Sequence, residues 1–322
     1  MSLVSVKNLS RHFGDVHAVR DISFEFHEGE IFGFIGPNGA GKSTTMRILA
    51  TLDLPSDGDC FVGGLSTVDD ADSVRRLIGY MPDSYGTYPN MSVIEYLDFF
   101  ARAHGLGPEQ RRRAVADVVE FCQLDGLRDK MITTLSKGMK QRMCLGRCII
   151  HDPKLLILDE PAAGLDPRAR IEFRDLLRLL AQQGKAIFIS SHILTELQEI
   201  CDGVAIIEQG QLIATGKVSD VKAAARQVAE AKAAADDSHR AVLEIRLSGD
   251  HPRTAEILAE QPEVGEIRHD GHLISLSMRG GSDDQAALLK RLINAGLPVC
   301  HFATRDANLE DVFMHLTEGK VQ

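Results

Sequence analysis

Apolar runs that end in glycine or in polar residues recur in the first two-thirds of the chain and predict buried parallel strands. Residues 31–35 form one run, residues 155–158 are four consecutive aliphatic residues, and residues 186–190 form a third. Uninterrupted apolar segments of this length are typical of strands that are covered on both faces. Along residues 3–30, in contrast, apolar and polar side chains alternate, which predicts antiparallel strands joined by turns. The pattern therefore indicates an α/β domain with an antiparallel β part.

Helical composition replaces the strand pattern in two places. Residues 90–150 are mostly helical in composition, which predicts an all-α insertion within the α/β domain. A later alanine-rich, charged stretch without turn residues predicts a linker helix. Beyond it, the order strand, helix, two strands, helix, strand suits a small ferredoxin-like α+β domain. We expect an α/β domain over residues 1–217 with a helical subdomain at about 84–152, a linker helix over 218–237 and a C-terminal accessory domain over 238–322.

The segment after the predicted strand 31–35 matches G-x-x-x-x-G-K-[ST], the pattern of a phosphate-binding loop. Its glycines let backbone N–H groups approach an anion closely, at the N-terminus of a helix that attracts negative charge. The lysine adds a positive charge for the β- and γ-phosphates, and the serine hydroxyl is placed to bind Mg²⁺. The chain is therefore expected to bind a nucleoside triphosphate through Gly36, Pro37, Asn38, Gly39, Ala40, Gly41, Lys42, Ser43 and Thr44.

Acidic and basic side chains follow two other predicted strands. Asp159 and Glu160 come directly after one apolar run, and His192 comes just after another. Because the carboxyl ends of parallel strands meet at one edge of a sheet, we expect these side chains beside the phosphate loop. Asp159 is expected to hold Mg²⁺ through water, Glu160 to accept a proton from an attacking water, and His192 to bond the γ-phosphate or that water. The predicted catalytic groups are Glu160, His192 and Lys42.

A second anion site is predicted at residues 135–142, which read Leu-Ser-Lys-Gly-Met-Lys-Gln-Arg. Ser136 is placed to cap a helix whose first turn contains Gly138. A capped helix N-terminus attracts anions. Since one chain has only one γ-phosphate to bind, this second site is expected to face the nucleotide of another chain.

The order of these motifs resembles the nucleotide-binding subunit of an ABC transporter. The phosphate loop, Leu-Ser-x-Gly-Met-Lys-Gln-Arg, aliphatics-Asp-Glu-Pro, Gly-Leu-Asp-Pro and Ser-Ser-His follow one another within residues 3–217. The resemblance implies an ATPase fold that uses ATP and Mg²⁺, and a head-to-tail homodimer with two ATP at its interface. Ser136 and Gly138 of one copy would then face the γ-phosphate held by the other. The resemblance also implies that Phe13 stacks on adenine and that Asp166 lies in the loop that reaches across the dimer.

Two residues depart from the pattern of that family. Lys137 stands at the third position of the second anion motif, where the family more commonly has glycine. Asp83 follows Tyr-Met-Pro, where the family usually has glutamine that senses Mg²⁺ and the transport subunit. Asp83 is charged and shorter by one methylene, and it is still expected to reach Mg²⁺ through water. We therefore expect an altered coupling loop in an active enzyme.

The C-terminal third resembles one group within the family. A small α/β domain with Asn-Leu-Glu-Asp-Val-Phe at residues 308–313 is similar to the ATP-binding subunits of ABC-2-type exporters, which export drugs, antibiotics, lipids or sodium. The resemblance implies a separate ABC-2-type membrane permease as partner. The expected location is then cytoplasmic, peripheral on the inner face of the cell membrane.

Charge and hydropathy narrow the alternatives. The formal net charge of −10 argues against nucleic acid as a partner, and no apolar run approaches the roughly 18 residues that cross a bilayer. A soluble ABC ATPase of DNA repair or translation stays open as the alternative, although such chains usually carry two nucleotide domains or a long coiled-coil insertion. An importer subunit comes third, because its C-terminal extension is typically all-β.

Overall fold

The computed structural model describes residues 2–84, 86, 88, 90–192, 197–224, 240–249, 254–259 and 261–304. The chain divides into two compact units, with the boundary between Val221 and Lys222. Each unit is built around a core of its own. Within the described ranges, no helix is both long and apolar enough to cross a membrane.

The first unit contains two sheets and, besides helical residues at 197–198 and from 218 onward, six α-helices whose bounds are fully described. Its strands are β1 (Val4–Phe13), β2 (Val16–Phe26), β3 (Ile31–Ile35), β4 (Asp57–Val62), β5 (Leu65–Ser66), β6 (Ile78–Met81), β7 (Leu155–Leu158), β8 (Ala186–Ser191), β9 (Gly203–Glu208) and β10 (Gln211–Lys217). Its helices are α1 (Lys42–Leu49), α2 (Ala71–Leu77), α3 (Val93–Ala103), α4 (Pro108–Phe121), α5 (Lys137–Ile149) and α6 (Pro167–Gln182).

The larger sheet has the order β10-β9-β3-β8-β7-β6 and is parallel except for β10. Every residue of β3, β7 and β8 is buried, as the continuous apolar runs predicted, and every residue of β9 is buried as well. The smaller sheet, β2-β1-β4-β5, is antiparallel throughout. Because β3, β7 and β8 run parallel, the polar residues that follow them meet at one edge of the larger sheet.

The two sheets of the first unit share one aromatic cluster. Phe24 and Phe26 of β2 pack against Phe32 and Phe34 of β3 and Phe188 of β8, with ring centroids 4.9–6.3 Å apart. Aromatic pairs at this spacing contribute beyond the area that they bury. The antiparallel sheet therefore packs on the parallel sheet through the strand that leads into the phosphate loop.

Helices α3, α4 and α5 form the helical part that the sequence predicted. Ser92 begins α3 in a capping box with Glu95, whose carboxylate accepts the Ser92 N–H at 2.8 Å. At the other end of this part, Arg147 of α5 donates to the carbonyl of Tyr80 at 3.2 Å and to the hydroxyl of Tyr96 at 3.2 Å. Helix α5 is thus connected both to α3 and to strand β6 of the parallel sheet.

The second unit has the predicted βαββαβ order, which confirms the ferredoxin-like fold class. Its elements are β11 (Arg240–Leu247), α7 (Thr254–Ala259), β12 (Val264–Asp270), β13 (Leu273–Arg279), α8 (Ser282–Asn294) and β14 (Val299–Thr304). The strands form an antiparallel sheet in the order β12-β13-β11-β14, over a core that includes Leu243, Ile245 and Leu288.

Two predicted segments lie largely outside the described residues. Residues 218–224 of the predicted linker helix are helical, whereas 225–237 are not described. The predicted last helix and the motif at 308–313 also lie outside the described ranges.

Candidate nucleotide-binding site

The phosphate loop joins β3 to α1 and is shaped by glycine at its end. Gly41 has φ of 103°, and a Cβ at that position would overlap the carbonyl oxygen of Ala18. Only glycine suits this left-handed conformation and this close approach. Helix α1 begins at the next residue, Lys42, so the loop ends at a helix N-terminus with unpaired backbone N–H groups. The local geometry is that of an anion-binding loop.

Lys42 is held in place by the loop itself. Its side chain is only 6% exposed, and its ammonium donates to the carbonyls of Gly36 at 2.6 Å and Pro37 at 3.2 Å. Burial lowers the pKa of the Lys42 ammonium, and the carboxylates of Glu160 and Asp159 oppose that shift. The positive charge therefore lies against the loop before any phosphate arrives.

Asp159 and Glu160 follow β7, and their carboxylates point in different directions. Asp159 is 3% exposed, and its backbone N–H donates to the carbonyl of Met81 at 2.9 Å. Glu160 has φ of 48°, the left-handed region that non-glycine residues rarely adopt. This turn of the backbone separates the directions of the two consecutive carboxylates. Residues in such conformations concentrate at functional sites.

The Glu160 carboxylate lies between a lysine and a histidine. Its Oε2 atom is 2.8 Å from Nδ1 of His192, and its Oε1 atom is 3.7 Å from Nζ of Lys42. Oε1 is buried and makes no hydrogen bond in the structure. Because buried carboxylate oxygens are normally hydrogen-bonded, this oxygen is well placed to accept a bond from a water molecule. Half of the His192 side chain is exposed, so the imidazole can still reach a bound molecule.

A cavity of about 440 Å³ opens in front of Lys42 and Glu160, whereas Asp159 and His192 are not among its lining residues. Ser43, Asp83 and Glu160, whose side chains carry oxygen atoms, line its wall beside the charged Lys42. Hydroxyl and carboxylate oxygens are the ligands that Mg²⁺ prefers, so the donors at this wall fit that ion. The remaining lining residues are Val16, Ala18, Pro37, Asn38, Gly39, Gly41 and Thr44. Gly36 and Ala40 are buried in the loop behind this wall.

Phe13 lies at the end of β1 and does not line the cavity. Its ring is 49% exposed, and the guanidinium carbon of Arg11 lies 4.3 Å from the ring centroid. Val16 and Ala18 on the neighbouring strand β2 do line the cavity. The ring is therefore accessible for stacking near the mouth of the site.

The second anion motif also lies apart from the cavity of its own chain. Ser136 caps α5 by accepting the N–H of Met139 at 3.3 Å, and Asp166 caps α6 by accepting the N–H of Ala169 at 2.9 Å. Gly138 is close to α6, since a Cβ there would lie 3.0 Å from the Cβ of Ala169. None of Ser136, Gly138 and Asp166 lines the phosphate-loop cavity.

One contact in the site was not predicted from the sequence. The hydroxyl of Ser190 donates to Asp159 and accepts the backbone N–H of Glu160. In the sequence, Ser190 is simply the last residue of the apolar run at residues 186–190. A signal was available, because a hydroxyl in a fully buried central strand needs a partner.

Comparisons with known proteins agree with this geometry. The family model described as "ABC transporter" matches residues 19–163. "Nod factor export ATP-binding protein I" of Burkholderia orbicola is 33% identical over 319 residues, covering 99% of this chain and 98% of the relative. A protein of the same name from Rhizobium etli is 32% identical over 322 residues, covering 100% of this chain and 95% of the relative.

Solved structures show the same fold. The structure described as the ATP-binding subunit of an ABC transporter is 30% identical, with a TM-score of 0.64, and the match covers 74% of this chain and 98% of that one. A dimeric ATP-binding cassette in a post-hydrolysis state, bound to ADP and Pi, has a TM-score of 0.60 at 23% identity, covering 66% of this chain and 98% of that one. The phosphate loop, the two carboxylates and these matches agree. The chain belongs to the ABC transporter family and is an ATP-hydrolysing, ATP-binding subunit of the exporter type.

Proposed function

We propose that this chain powers a separate membrane permease of the ABC-2 type through ATP-dependent formation of a homodimer. The observation that carries the proposal is the division of the predicted ATP contacts. Lys42, Ser43 and Glu160 share one cavity, whereas Ser136 and Gly138 lie elsewhere on the same chain. Each copy then holds two half-sites, and a complete site requires two copies. The protein would work in the cytoplasm, peripheral on the inner face of the membrane, where its permease is located.

The residues of the cavity suit hydrolysis of the γ-phosphate bond. Lys42 binds the phosphates, and Glu160 takes a proton from the attacking water through Oε1, which makes no hydrogen bond in the structure. His192 holds the Glu160 carboxylate through Oε2 and can turn its exposed ring toward the γ-phosphate. Ser43, Asp159 and Asp83 would hold Mg²⁺, which would neutralise charge on the β- and γ-phosphates.

In the proposed dimer, the capped N-terminus of α5 meets the nucleotide of the other copy. Ser136 and Gly138 would contribute a hydroxyl, backbone N–H groups and the positive end of the helix dipole to the γ-phosphate. Asp166 begins α6 beside this end and would contact the other copy. Phe13 would stack on the adenine held by its own chain.

The surface around α3 suits contact with the permease. A groove of about 280 Å³ lies between β6, α3 and α5, lined by residues that include Tyr80, Phe100 and Arg147. Leu52, also in its lining, has 51% of its side chain exposed, and Phe99 on α3 has 44% exposed. Exposed apolar side chains around a groove mark interaction sites. We assign the permease contact to this groove together with residues 83–96.

The Glu160→Gln variant tests the catalytic assignment. Glutamine keeps the shape of the side chain but cannot accept the proton, so we expect turnover to fall by at least about 100-fold. ATP binding should persist, and the variant should accumulate as an ATP-bound dimer that size-exclusion chromatography with light scattering detects. Glu109→Gln, which changes a glutamate with 72% of its side chain exposed, is the control and should behave like the wild type. A Glu160→Gln protein that stays monomeric with normal turnover would refute the proposal.

The exporter type is tested separately. We expect the reading frame beside this gene to encode a six-span membrane protein that co-purifies with the chain in detergent. ATP turnover should rise when the two are reconstituted in vesicles. Recovery of the chain on ribosomes or DNA, with no membrane protein bound, would instead support the alternative of a soluble ATPase.

A further inference from the structure

The hydroxyl of Ser190 connects the two acidic residues of the site. Ser190 Oγ donates to Oδ1 of Asp159 at 2.6 Å, and it accepts the backbone N–H of Glu160 at 2.9 Å. One side chain therefore holds the carboxylate of the first acid and the backbone of the second. We propose that Ser190 is a positioning residue for ATP hydrolysis, which sets the directions of the Asp159 and Glu160 carboxylates through this bridge.

The sheet places Ser190 where the bridge can form. Strands β7 and β8 are parallel neighbours with Leu158 opposite Ile189, so the next residues along the two strands, Asp159 and Ser190, come side by side. On its other side Ser190 pairs with Phe34 of β3, the strand that leads into the phosphate loop. The serine is thus held by the central strands of the sheet and not by a mobile loop.

Burial makes the bridge hard to replace. Ser190 is 0% exposed and Asp159 is 3% exposed, so solvent does not reach the hydroxyl in the folded state. A buried donor or acceptor that loses its partner destabilises the folded protein by the full free-energy cost of its desolvation. Removal of the hydroxyl would leave the N–H of Glu160 without an acceptor. It would also remove the donor that fixes one oxygen of Asp159.

The backbone at Glu160 gives this bridge a catalytic consequence. Its φ of 48° is a conformation that persists only when surrounding contacts enforce it. The Glu160 carboxylate lies 3.7 Å from Lys42 and 2.8 Å from His192 only while that turn is kept. A relaxed turn would move the proposed proton acceptor away from the water that it must deprotonate. Small displacements of catalytic groups lower rates strongly.

The inference rests on the proposed roles of Asp159 and Glu160, and it predicts a specific kinetic pattern. Ser190→Ala should lower kcat about tenfold while KM for ATP stays within about twofold, because phosphate binding by Lys42 is untouched. Binding of a fluorescent ATP analogue without Mg²⁺ should be unchanged. When Mg²⁺ is added, the affinity for the analogue should increase. The Mg²⁺ concentration that gives half of this increase should be about threefold higher or more in the variant, since Asp159 loses its orientation.

Ser66→Ala is the matched control. Ser66 is also a buried serine, its hydroxyl donates to Asp59 at 2.6 Å, and it accepts the N–H of Asp69 at 3.0 Å. It lies in β5 of the antiparallel sheet and does not line the nucleotide cavity. Loss of this equivalent bridge should lower the melting temperature to a similar degree without changing kcat or the Mg²⁺ requirement. The control therefore separates a positioning effect from general destabilisation.

Conservative variants complete the experiment. Ser190→Thr keeps the hydroxyl and should retain most of the wild-type kcat, and Ser190→Cys replaces Ser190→Ala if the alanine variant does not fold. Wild-type kcat in Ser190→Ala, or equal loss in Ser190→Ala, Ser190→Thr and Ser66→Ala, would overturn the inference. Glu160→Gln is measured in parallel. If Glu160→Gln is inactive and Ser190→Ala is normal, only the inference fails, whereas an active Glu160→Gln refutes the proposed function itself.

Discussion

At the scale of single residues, Asp83 is the position where this site departs most from its family. Its carboxylate is exposed and lines the same cavity as Lys42, Ser43 and Glu160. A second negative charge beside Glu160 opposes the charge of the ATP phosphates. Glutamine at this position would remove that repulsion and extend the side chain by one methylene. We therefore expect Asp83 to weaken ATP binding in the absence of Mg²⁺ and to make the site depend more on the cation.

The Asp83→Gln variant is expected to bind ATP more tightly without Mg²⁺, by about threefold, because one negative charge is removed at the cavity wall. Both basal and permease-stimulated turnover should change, since this loop also leads to the proposed permease contact. Titration of a fluorescent ATP analogue and phosphate-release assays measure the two effects. Asp69→Gln, at an exposed aspartate outside the cavity lining, is the control. Unchanged basal and transport-linked ATPase in Asp83→Gln would contradict the role given to Asp83.

A stacked histidine pair joins the helical part to the parallel sheet. The rings of His104 and His151 are parallel within 5°, with centroids 3.7 Å apart. Nε2 of His151 donates to the carbonyl of Ile78 at 2.9 Å, and its Nδ1 is buried without a partner. Burial, and after it the neighbouring His104, lower the pKa of His151 to about 4, with Asp152 opposing and Lys185 adding to the shift. Burial also lowers the pKa of His104.

This pair predicts a loss of stability in mild acid. The unfolded chain binds the proton of His151 near its ordinary pKa of 6.5, whereas the folded chain resists it down to about 4. The contribution of neutral His151 to the free energy of unfolding is therefore fully present above about pH 7. It is lost as the pH drops below about 6.5, and the loss is at most about 2 kcal/mol at about pH 5. His151→Gln should flatten this dependence in urea unfolding, and His301→Gln, at an exposed histidine, should not. An equal pH dependence in all three proteins would exclude His151 as the cause.

At the scale of elements, helix α5 packs against α3, α4 and α6 and against strand β6. It begins at Ser136, which caps it, and its last turns pack on β6, the strand that leads toward Asp83. Gly79 of β6 makes this packing possible, because a Cβ there would overlap the carbonyl oxygen of Cys148. A backbone carbonyl cannot move aside by changing rotamer, as a side chain can. Gly79, which faces α5, and Gly146, which lies within α5, therefore differ in how well each tolerates substitution by alanine.

Gly79→Ala is expected to destabilise the first unit by about 3 kcal/mol, because the strand and α5 must separate. Gly146→Ala within α5 should be milder, about 1 kcal/mol, since its Cβ would meet a side-chain methyl of Val118 at 2.7 Å and not backbone, and alanine favours the helix. Gly126→Ala, with open space around its Cβ position, is the control and should change stability by less than about 0.5 kcal/mol. Urea unfolding monitored by circular dichroism ranks the three, and an equal cost at all three sites would contradict the packing argument.

How much of this could be predicted from the sequence depends on whether the signal is local. The strand at residues 155–158 and the loop before Lys42 were predicted because apolar runs and glycine spacing are local signals. The bridge from Ser190 to Asp159 was not, because it depends on which strands are neighbours and in what register. The His104–His151 stack was missed for the same reason. Local patterns therefore predict the elements and the motif residues, whereas contacts between distant segments need the sheet order.

At the scale of the whole molecule, the two units have separate cores, and the nucleotide cavity lies entirely in the first. We therefore expect two transitions in differential scanning calorimetry. ATP at about 100 times its dissociation constant, without Mg²⁺, should stabilise the first unit by about 2.7 kcal/mol and raise its melting temperature by about 5–10 °C. The second transition should not move. Lys42→Ala should abolish the shift, and one transition that moves as a whole would contradict independent units.

The position of β3 has a consequence for synthesis on the ribosome. The strand that carries the phosphate loop lies between β8 and β9, which follow it by about 150–170 residues in the chain. At ~5–20 residues per second, roughly 10–30 s pass before these neighbours emerge. During that time β3 lacks both of its sheet neighbours, and its apolar face can be covered only by elements that are already translated, among them the β1–β2 hairpin with Phe24 and Phe26. The phosphate loop is therefore translated well before both neighbours of its strand, and the sheet around it cannot form until most of the first unit has been made.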